Sequence, residues 1–222
     1  NAIDEFEVEG FVTQAGTPNG SVINFSIGTT PVRTTASTEF RGGTVDEIVV
    51  GAKLSAEGQF DGSMLIAEHV KFHESVRLEG DATITGSTLS LTGLSDVTIT
   101  VNSQTELKDA GNTITSNDLQ GNHVRVRGRV IGPHTVVATR IQVRSSDDDV
   151  DLQGPVQSIT GNVITILGVS VDTSVINQFE SVSGTSMSRA GFLAAVSVNS
   201  LVKVKGALSG TTVVWEEAEL ED

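Results

Sequence analysis

Three short stretches decide the fold of this chain: Val8-Glu9-Gly10, Leu78-Glu79-Gly80 and Leu152-Gln153-Gly154. They lie about 70 residues apart, and each places its third residue, a glycine, at the same point of a strand-like pattern. A repeat with that period defines a module, so we predict three tandem copies of one small domain. The predicted domain boundaries are 1–74, 75–146 and 147–222.

A second landmark follows in each copy, as a pair of turn-forming residues that frame a strand. The pairs are Gly51 with Gly58, Gly121 with Gly128, and Asn199 with Gly206. Asn is the usual substitute for Gly where the backbone angle φ is positive, so the third copy keeps the pattern. Apolar residues alternate with polar ones between the members of each pair, which predicts a strand with one buried face. The predicted inward residues are Leu54, Ala56, Val124, Val126, Val202 and Val204.

A third landmark is a closing strand, predicted at residues 67–72, 138–143 and 215–220. The third copy also carries an insertion from Met187 to Val196. Its Ala and Leu content after Ser188 predicts a short helix.

The composition indicates many short strands, because Val, Ile and Thr are abundant while the chain has 23 Gly, 4 Pro and 4% aromatic residues. Five or six strands in about 70 residues fit a small barrel of the oligonucleotide/oligosaccharide-binding (OB) type. We therefore predict an all-β fold of three tandem small OB-like β-barrels, with a short helix inserted in the third. A string of three small sandwiches is the alternative geometry.

These landmarks resemble a bacterial domain-of-unknown-function family, number 5666. Its pattern also includes a Thr-x-apolar segment, which Thr38-Glu39-Phe40 and Thr105-Glu106-Leu107 supply here. The third copy departs from the pattern at Trp215, which replaces an Ala, and at Asn199, which replaces a Gly. The resemblance implies exported or lipid-anchored surface proteins with several copies per chain, and a family without an established activity.

Composition and charge limit the function classes. With no Cys, the chain has no disulfide, no thiolate metal site and no Cys nucleophile. No apolar run approaches the ~20 residues that cross a bilayer, so we predict no transmembrane segment. The formal net charge of −14 argues against nucleic-acid binding.

We expect an exported bacterial protein, located in the extracellular space, at the cell surface or in the periplasm. The chain begins at Asn1 rather than Met, which favours a processed or truncated N-terminus.

One segment is similar to a catalytic motif. Gly184-Thr185-Ser186-Met187-Ser188 resembles the nucleophile segment of subtilisin-like proteases, but none of the four His residues has the His-Gly context expected of the base. Ser before a helix is ordinarily a cap. We predict no catalytic residue and no cofactor.

Two patterns are candidate metal sites. His69 and His73 would pair on a helix, but on a strand their Cα atoms lie about 13 Å apart, too far for one ion. The second is an acidic segment at the second junction, which lacks the Gly and distal Glu of an EF-hand and which we interpret as a solvated linker and only a weak Ca²⁺ candidate. Its residues are Asp147, Asp148, Asp149 and Asp151.

The most informative surface feature is a basic stripe in the second copy. Its predicted members, which share the outward side of two neighbouring strands, are His123, Arg125, Arg127, Arg129, Arg140 and Arg144. The corresponding positions are Ser55, Glu57 and Gln59 in copy one and Lys203, Lys205 and Ala207 in copy three. The barrel itself therefore does not require arginines there.

Three interpretations of the stripe remain open. It docks against acidic groups, such as Glu5, Glu7 and Glu9 of a neighbouring chain or the Asp147–Asp151 junction; it captures an anionic glycan or phosphate; or it is a solvated face.

The leading hypothesis is a non-enzymatic exported structural or interaction protein that assembles with itself or with a cell-surface partner. The alternative is a carbohydrate- or polyanion-binding module that uses the basic face of repeat 2.

Overall fold

The computed structural model describes residues 5–222. Strands account for 61% and helices for 8% of the structure. The prediction of an all-β chain of three small OB-like barrels with one short helix is confirmed. The backbone forms two compact units, which do not follow the three repeats one to one. The predicted boundaries between the three domains stay a prediction.

The first unit contains repeat 1, up to Glu74, together with the segment Arg129–Pro133. Its strands are β1 (Phe6–Ala15), β2 (Asn24–Ile27), β3 (Thr30–Arg41), β4 (Lys53–Asp61) and β5 (Met64–His73). They form a closed barrel in the order β1-β2-β3-β5-β4. Closure removes most of the unpaired strand edges that would otherwise invite aggregation.

Alternation along β4 places the predicted inward residues in the core of this barrel. Leu54 and Ala56 are both fully buried, beside Val12, Val32 and Leu65. The equivalent residues of the other repeats, Val124, Val126, Val202 and Val204, are likewise fully buried. The prediction of an inward set is confirmed in all three copies.

The second unit contains Ser75–Gly128 and His134–Asp222, which hold repeats 2 and 3. The strands of repeat 2 are β6 (Val76–Thr85), β7 (Thr88–Leu91), β8 (Thr98–Thr100), β9 (Glu106–Asp109), β10 (Asn112–Thr113), β11 (His123–Gly132) and β12 (Thr135–Val143). Strand β6 pairs with β7 and β11, β7 with β8, and β12 with both β8 and β11. These pairings close a ring of five strands, as in repeat 1.

Repeat 3 is built from β13 (Asp149–Thr160), β14 (Val163–Ile166), β15 (Val169–Asp172), β16 (Gln178–Glu180), β17 (Leu201–Ser209) and β18 (Thr212–Glu221). Strand β13 pairs with β14 and β17, and β18 pairs with β16 and β17. Strand β15 pairs only with β14 within residues 5–222, so this barrel is partly open.

The inserted segment of repeat 3 forms α1 (Arg189–Ala195), which confirms the predicted short helix. The hydroxyl of Ser188 caps it by accepting a hydrogen bond of 3.0 Å from the backbone N–H of Gly191. Phe192 is fully buried, and its ring centroid lies 5.2 Å from that of Phe179. Within residues 5–222, no helix is long and apolar enough to span a bilayer.

Repeats 2 and 3 join through the edges of their first strands. Strand β6 pairs with β13 in antiparallel register, with Leu78 opposite Leu152, Arg77 opposite Gln153, and Glu79 opposite Asp151. One sheet therefore runs from β12 through β11, β6, β13 and β17 to β18.

Candidate functional site

The outward side of this continuous sheet carries two rows of polar and charged residues, because residues directly opposite one another in a sheet point to the same side. The first row consists of successive cross-strand partners: Arg127, Arg77, Gln153, Lys203 and Glu219. The second row likewise consists of Arg125, Glu79, Asp151, Lys205 and Glu217. We refer to these ten residues as the charged face.

At the repeat 3 end of the charged face, positive and negative groups compensate one another. The Lys205 ammonium donates a short hydrogen bond to Glu219 and lies 3.5 Å from Glu217. The Lys203 ammonium lies 3.5 Å from Glu219 and 4.0 Å from Asp151. This end therefore presents little net charge.

The pKa values at this end reflect competition between burial and pairing. Burial raises the pKa of Asp151, although the charge of Lys203 opposes it. Burial alone would lower the pKa of Lys205, but the hydrogen bond and charge of Glu219 raise it above its ordinary value. The paired lysine is thus held in its charged form.

The repeat 2 end of the charged face holds a small basic pocket of about 50 Å³, lined by Arg125, Arg127, Arg140 and Gln142. The Arg125 Nε donates to the buried Glu79 carboxylate over 2.7 Å. The Arg140 Nε lies 3.6 Å from the Glu106 carboxylate. Such a pocket has room for one small anionic group.

Arg127 differs from its neighbours in this basic pocket. Its side chain is exposed. Within the part of the chain that the structure describes, no carboxylate pairs with it. It therefore presents an uncompensated positive charge.

His123 shares the outward side of β11 with the arginines, but acidic residues cover it and it is not part of an exposed stripe. His123 is 2% exposed, and its Nδ1 lies 2.9 Å from an Asp81 carboxylate oxygen. Its Nε2 lies 3.0 Å from Asp147 and 3.6 Å from Glu79. The physical reason is that Asp81 is its cross-strand partner and the acidic junction covers its other side.

Arg129 is likewise not part of an exposed stripe, because it is only 8% exposed. Its guanidinium lies 5.1 Å from the centre of the Phe72 ring and 3.2 Å from the Glu47 carboxylate. Stacking on an aromatic ring and pairing with a carboxylate give this arginine a structural role in the first compact unit.

Arg144 is exposed just after β12, and its backbone N–H donates to the His123 carbonyl over 2.8 Å. It does not line the basic pocket. Of the six stripe residues, the structure therefore brings together Arg125, Arg127 and Arg140. Their role in binding stays a prediction.

The acidic segment does not gather its carboxylates. Asp147 accepts a 3.1 Å hydrogen bond from the Asp149 backbone N–H and also faces His123, whereas Asp151 faces Lys203. Burial, followed by repulsion from Asp147 and Asp148, raises the pKa of Asp149. In residues 5–222, the one group of three close carboxylates is Glu180, Glu217 and Glu219, where Lys205 already binds two members.

The remaining candidates take ordinary structural positions. Ser188 is a helix cap, as the sequence favours. His69 and His73 both lie on β5, where His69 faces Glu39 at 3.4 Å and His73 hydrogen-bonds Ser55 at 3.1 Å. The two histidines thus contact different partners.

Sequence reasoning missed Arg77 and Gln153, which link the two ends of the charged face. Their outward position could have been predicted, because Arg77 and Gln153 are next to the inward residues Leu78 and Leu152 in the repeated first strand. Nothing in the sequence indicated that these two strands pair with each other.

Comparison with known proteins adds a family but no activity. A family model described as a domain of unknown function (DUF5666) matches residues 9–71, 81–142 and 153–215. No curated protein matches the chain. Because the three matches cover most of its length, the chain belongs to the family DUF5666 and consists of three tandem copies of that domain.

Proposed function

We propose that this chain is a non-enzymatic structural or interaction protein, exported from a bacterial cell, that assembles with itself or with a cell-surface partner. The exported location follows from what the family resemblance implies. The assembly rests on charge complementarity at the charged face.

The observation that carries the proposal is the exposed, unpaired Arg127. It lies beside Arg125 and Arg140 in one pocket, on a chain with a formal net charge of −14. An uncompensated positive charge on an acidic protein attracts acidic surfaces, including those of other copies of the same chain. Glu5 and the first strand, with Glu7 and Glu9, form such a surface.

The joint between repeats 2 and 3 supports the same proposal. The pairing of β6 with β13 joins two copies of the domain within this chain through their first strands. A domain that contacts its neighbours by strand edge and by charge is suited to assembly.

The test is a charge reversal, Arg127→Glu, followed by sedimentation velocity at low salt. We expect wild-type multimers that the substitution removes. The matched control is Arg33→Glu, an exposed arginine on β3 of repeat 1, which should leave the multimers intact. Equal multimer formation by wild type and Arg127→Glu would contradict the proposed role of the charged face.

The lining of the basic pocket favours a second candidate function, the binding of a polyanion or an acidic carbohydrate. Three arginines and an amide line the pocket, and no aromatic ring is among the lining residues. Anionic groups therefore suit it better than an uncharged sugar ring, which aromatic side chains stack against.

A melting experiment separates this second function from assembly. A monomeric wild-type chain whose Tm rises with polyphosphate or a sulfated polysaccharide, but not after Arg127→Ala, would favour ligand binding. An unchanged Tm at all concentrations would exclude these ligands.

A further inference from the structure

The first strand of repeat 1 lacks the neighbour that its equivalents have. In repeats 2 and 3, the first halves of β6 and β13 each have strands on both sides. In repeat 1, residues Phe6–Phe11 pair with β4, and β2 pairs with β1 only from Val12 onward. Among residues 5–222, no strand lies along the other edge of Phe6–Phe11.

Burial at matched positions records the same difference. Phe6, Glu7 and Glu9 are exposed in repeat 1, and Val8 and Gly10 are only half-buried. At the equivalent positions, Val76, Leu78, Glu79 and Gly80 of repeat 2 and Val150, Leu152 and Gly154 of repeat 3 are buried. A strand that covers the edge accounts for the burial in repeats 2 and 3.

An exposed aromatic pair lies beside this edge. The rings of Phe6 and Phe60 meet edge to face with centroids 5.2 Å apart, and the two residues are 46% and 44% exposed. The equivalent of Phe6 in repeat 2, Val76, is 2% exposed. An unpaired strand edge next to exposed apolar surface is the arrangement that accepts an added strand.

We propose that the β1 edge of repeat 1 binds an extended strand in the antiparallel register of the β6–β13 pair, and that this strand is basic. The partner places an apolar residue opposite Val8 and lysine or arginine opposite Glu7 and Glu9. This inference rests on the proposed interaction role and deepens it, since it names a second surface and the chemistry of its partner.

Charge selects the basic partner over a second acidic strand. In the β6–β13 pair, the acidic couple Glu79 and Asp151 is flanked by Arg125 and Lys205 on the outer strands. On β4, the residues opposite Glu7 and Glu9 are Glu57 and Ser55. Lys53 lies 4.0 Å from Glu9, but no ion pair with Glu7 is formed among residues 5–222. Two β1 strands in this register would place Glu7 of each copy opposite Glu9 of the other, and like charges directly opposite one another are destabilising.

The first experiment mixes wild-type chain with the double variant Glu7→Lys/Glu9→Lys. In the proposed register, each glutamate of one copy faces a substituted lysine of the other, and the two Val8 side chains meet. We expect a one-to-one mixed dimer in sedimentation equilibrium at low salt, with an association constant at least about tenfold above that of either protein alone. Hydrogen exchange should slow at residues 6–10 in the mixture.

A control variant separates the edge from general charge attraction. Asp46→Lys/Glu68→Lys makes the same change of charge at exposed positions of repeat 1 that do not lie on β1 or on its neighbour β4. The proposal would be overturned if the control formed mixed dimers with the same association constant as the β1 variant. It would also be overturned if the β1 variant and the wild-type chain formed no dimer. Wild-type dimers in which the β1 strands of two copies pair with each other at neutral pH would contradict a basic partner strand.

A peptide keeps the proposal testable should the double variant fold poorly. The probe copies residues 75–85 with Glu79→Lys, so that basic residues face both Glu7 and Glu9 of the wild-type chain. We expect it to bind at least about tenfold more tightly than the same segment with Arg77→Glu and an unchanged Glu79. Equal affinity for the two peptides, or no binding of the basic one, would overturn the proposal.

The two proposals fail separately. If no mixed dimer forms and no peptide binds, but wild-type multimers still depend on Arg127, the proposed β1 partner is rejected and the proposed role of the charged face stands. If the wild-type chain forms no multimers but does form the mixed dimer, the proposed assembly through the charged face is rejected and the proposed β1 partner stands.

Discussion

Repeats 1 and 2 build the same barrel from the same inward pattern but carry different outward residues. On β4, Leu54 and Ala56 are buried while Ser55 and Glu57 face outward; on β11, Val124 and Val126 are buried while Arg125 and Arg127 face outward. The inward residues specify the barrel, and the outward residues are free to specify a partner. Function in this family is therefore to be sought in the residues that differ between copies.

The outward surfaces also differ in shape. In repeat 1, the corresponding face holds a cavity of about 360 Å³, whose lining combines acidic residues such as Glu5 and Glu57 with basic ones such as Arg41 and Lys71. In repeat 2, the pocket of about 50 Å³ is lined by arginines and one amide. One scaffold thus offers a mixed surface in one copy and a basic one in another.

The largest expected effect comes from the second glycine of each framing pair, Gly58 or Gly128, because a close approach of the neighbouring strand constrains it in both repeats. A Cβ at Gly128 would overlap the Val137 carbonyl, and one at Gly58 would overlap the Ile66 carbonyl. We expect Gly128→Ala to lower the free energy of unfolding by about 3 kcal/mol or to prevent folding. Urea denaturation measures this.

Gly80→Ala is the matched control, since a Cβ there meets its nearest atom at 3.5 Å, an ordinary contact. If Gly80→Ala and Gly128→Ala lower the free energy of unfolding by similar amounts, close approach of the strands is not the reason for the glycine shared by the repeats.

The second prediction separates inward from outward residues on one strand. Leu54→Ala removes a fully buried side chain and should lower the free energy of unfolding by about 2–5 kcal/mol. Glu57→Ala, three positions along β4, should change it by less than about 0.5 kcal/mol. Urea denaturation measures both changes. If the two variants lose similar free energies of unfolding, the inward residues do not stabilise the barrel more than the outward ones.

The smallest expected effect concerns the pH dependence of the charged face. Burial raises the pKa of Asp151 in the folded chain, so the stability that its protonated form contributes is lost as pH rises through that value. We expect Asp151→Asn to raise the Tm slightly at pH 7. The gain should disappear below the ordinary Asp pKa of about 4.

Asp172→Asn is the control of opposite sign. A hydrogen bond from the Ser174 side chain, followed by one from its backbone, lowers the pKa of Asp172, which caps a short 3₁₀ turn. Its substitution should lower the Tm at pH 7. A lower Tm for Asp151→Asn at pH 7 would show instead that pairing with Lys203 outweighs burial.

Local patterns predicted much of the fold, because they depend on residues close in sequence. Asn199 has a φ of 71°, beside 90° for Gly51 and 73° for Gly121, as expected of a residue that replaces glycine. The alternation on the framed strands and the helix after Ser188 are local in the same way. Each could be predicted without knowledge of distant contacts.

One motif could be recognised without its role. Thr38 and Thr105 belong to the Thr-x-apolar segment, and their hydroxyls donate to the carbonyls of Ala67 and Ala138 on the closing strands, over 2.6 and 2.7 Å. In repeat 3, Trp215 replaces the alanine. The motif therefore links the closing strand to the preceding segment by a hydrogen bond in repeats 1 and 2.

The candidate site could be predicted only in part, because parity along a strand does not reveal what covers a face. Arg125, Arg127 and Arg140 converge as expected. The burial of His123 depends on carboxylates from three other positions, and that of Arg129 on Phe72 and Glu47. The pairing of β6 with β13 joins strands that are distant in sequence, so no local pattern encodes it.

The most direct test of the proposed assembly is the mass of the wild-type chain by light scattering at low and at high salt. We expect multimers at low salt that dissociate as salt screens the attraction between the charged face and acidic surfaces. A monomer at both salt concentrations would contradict assembly of the chain with itself.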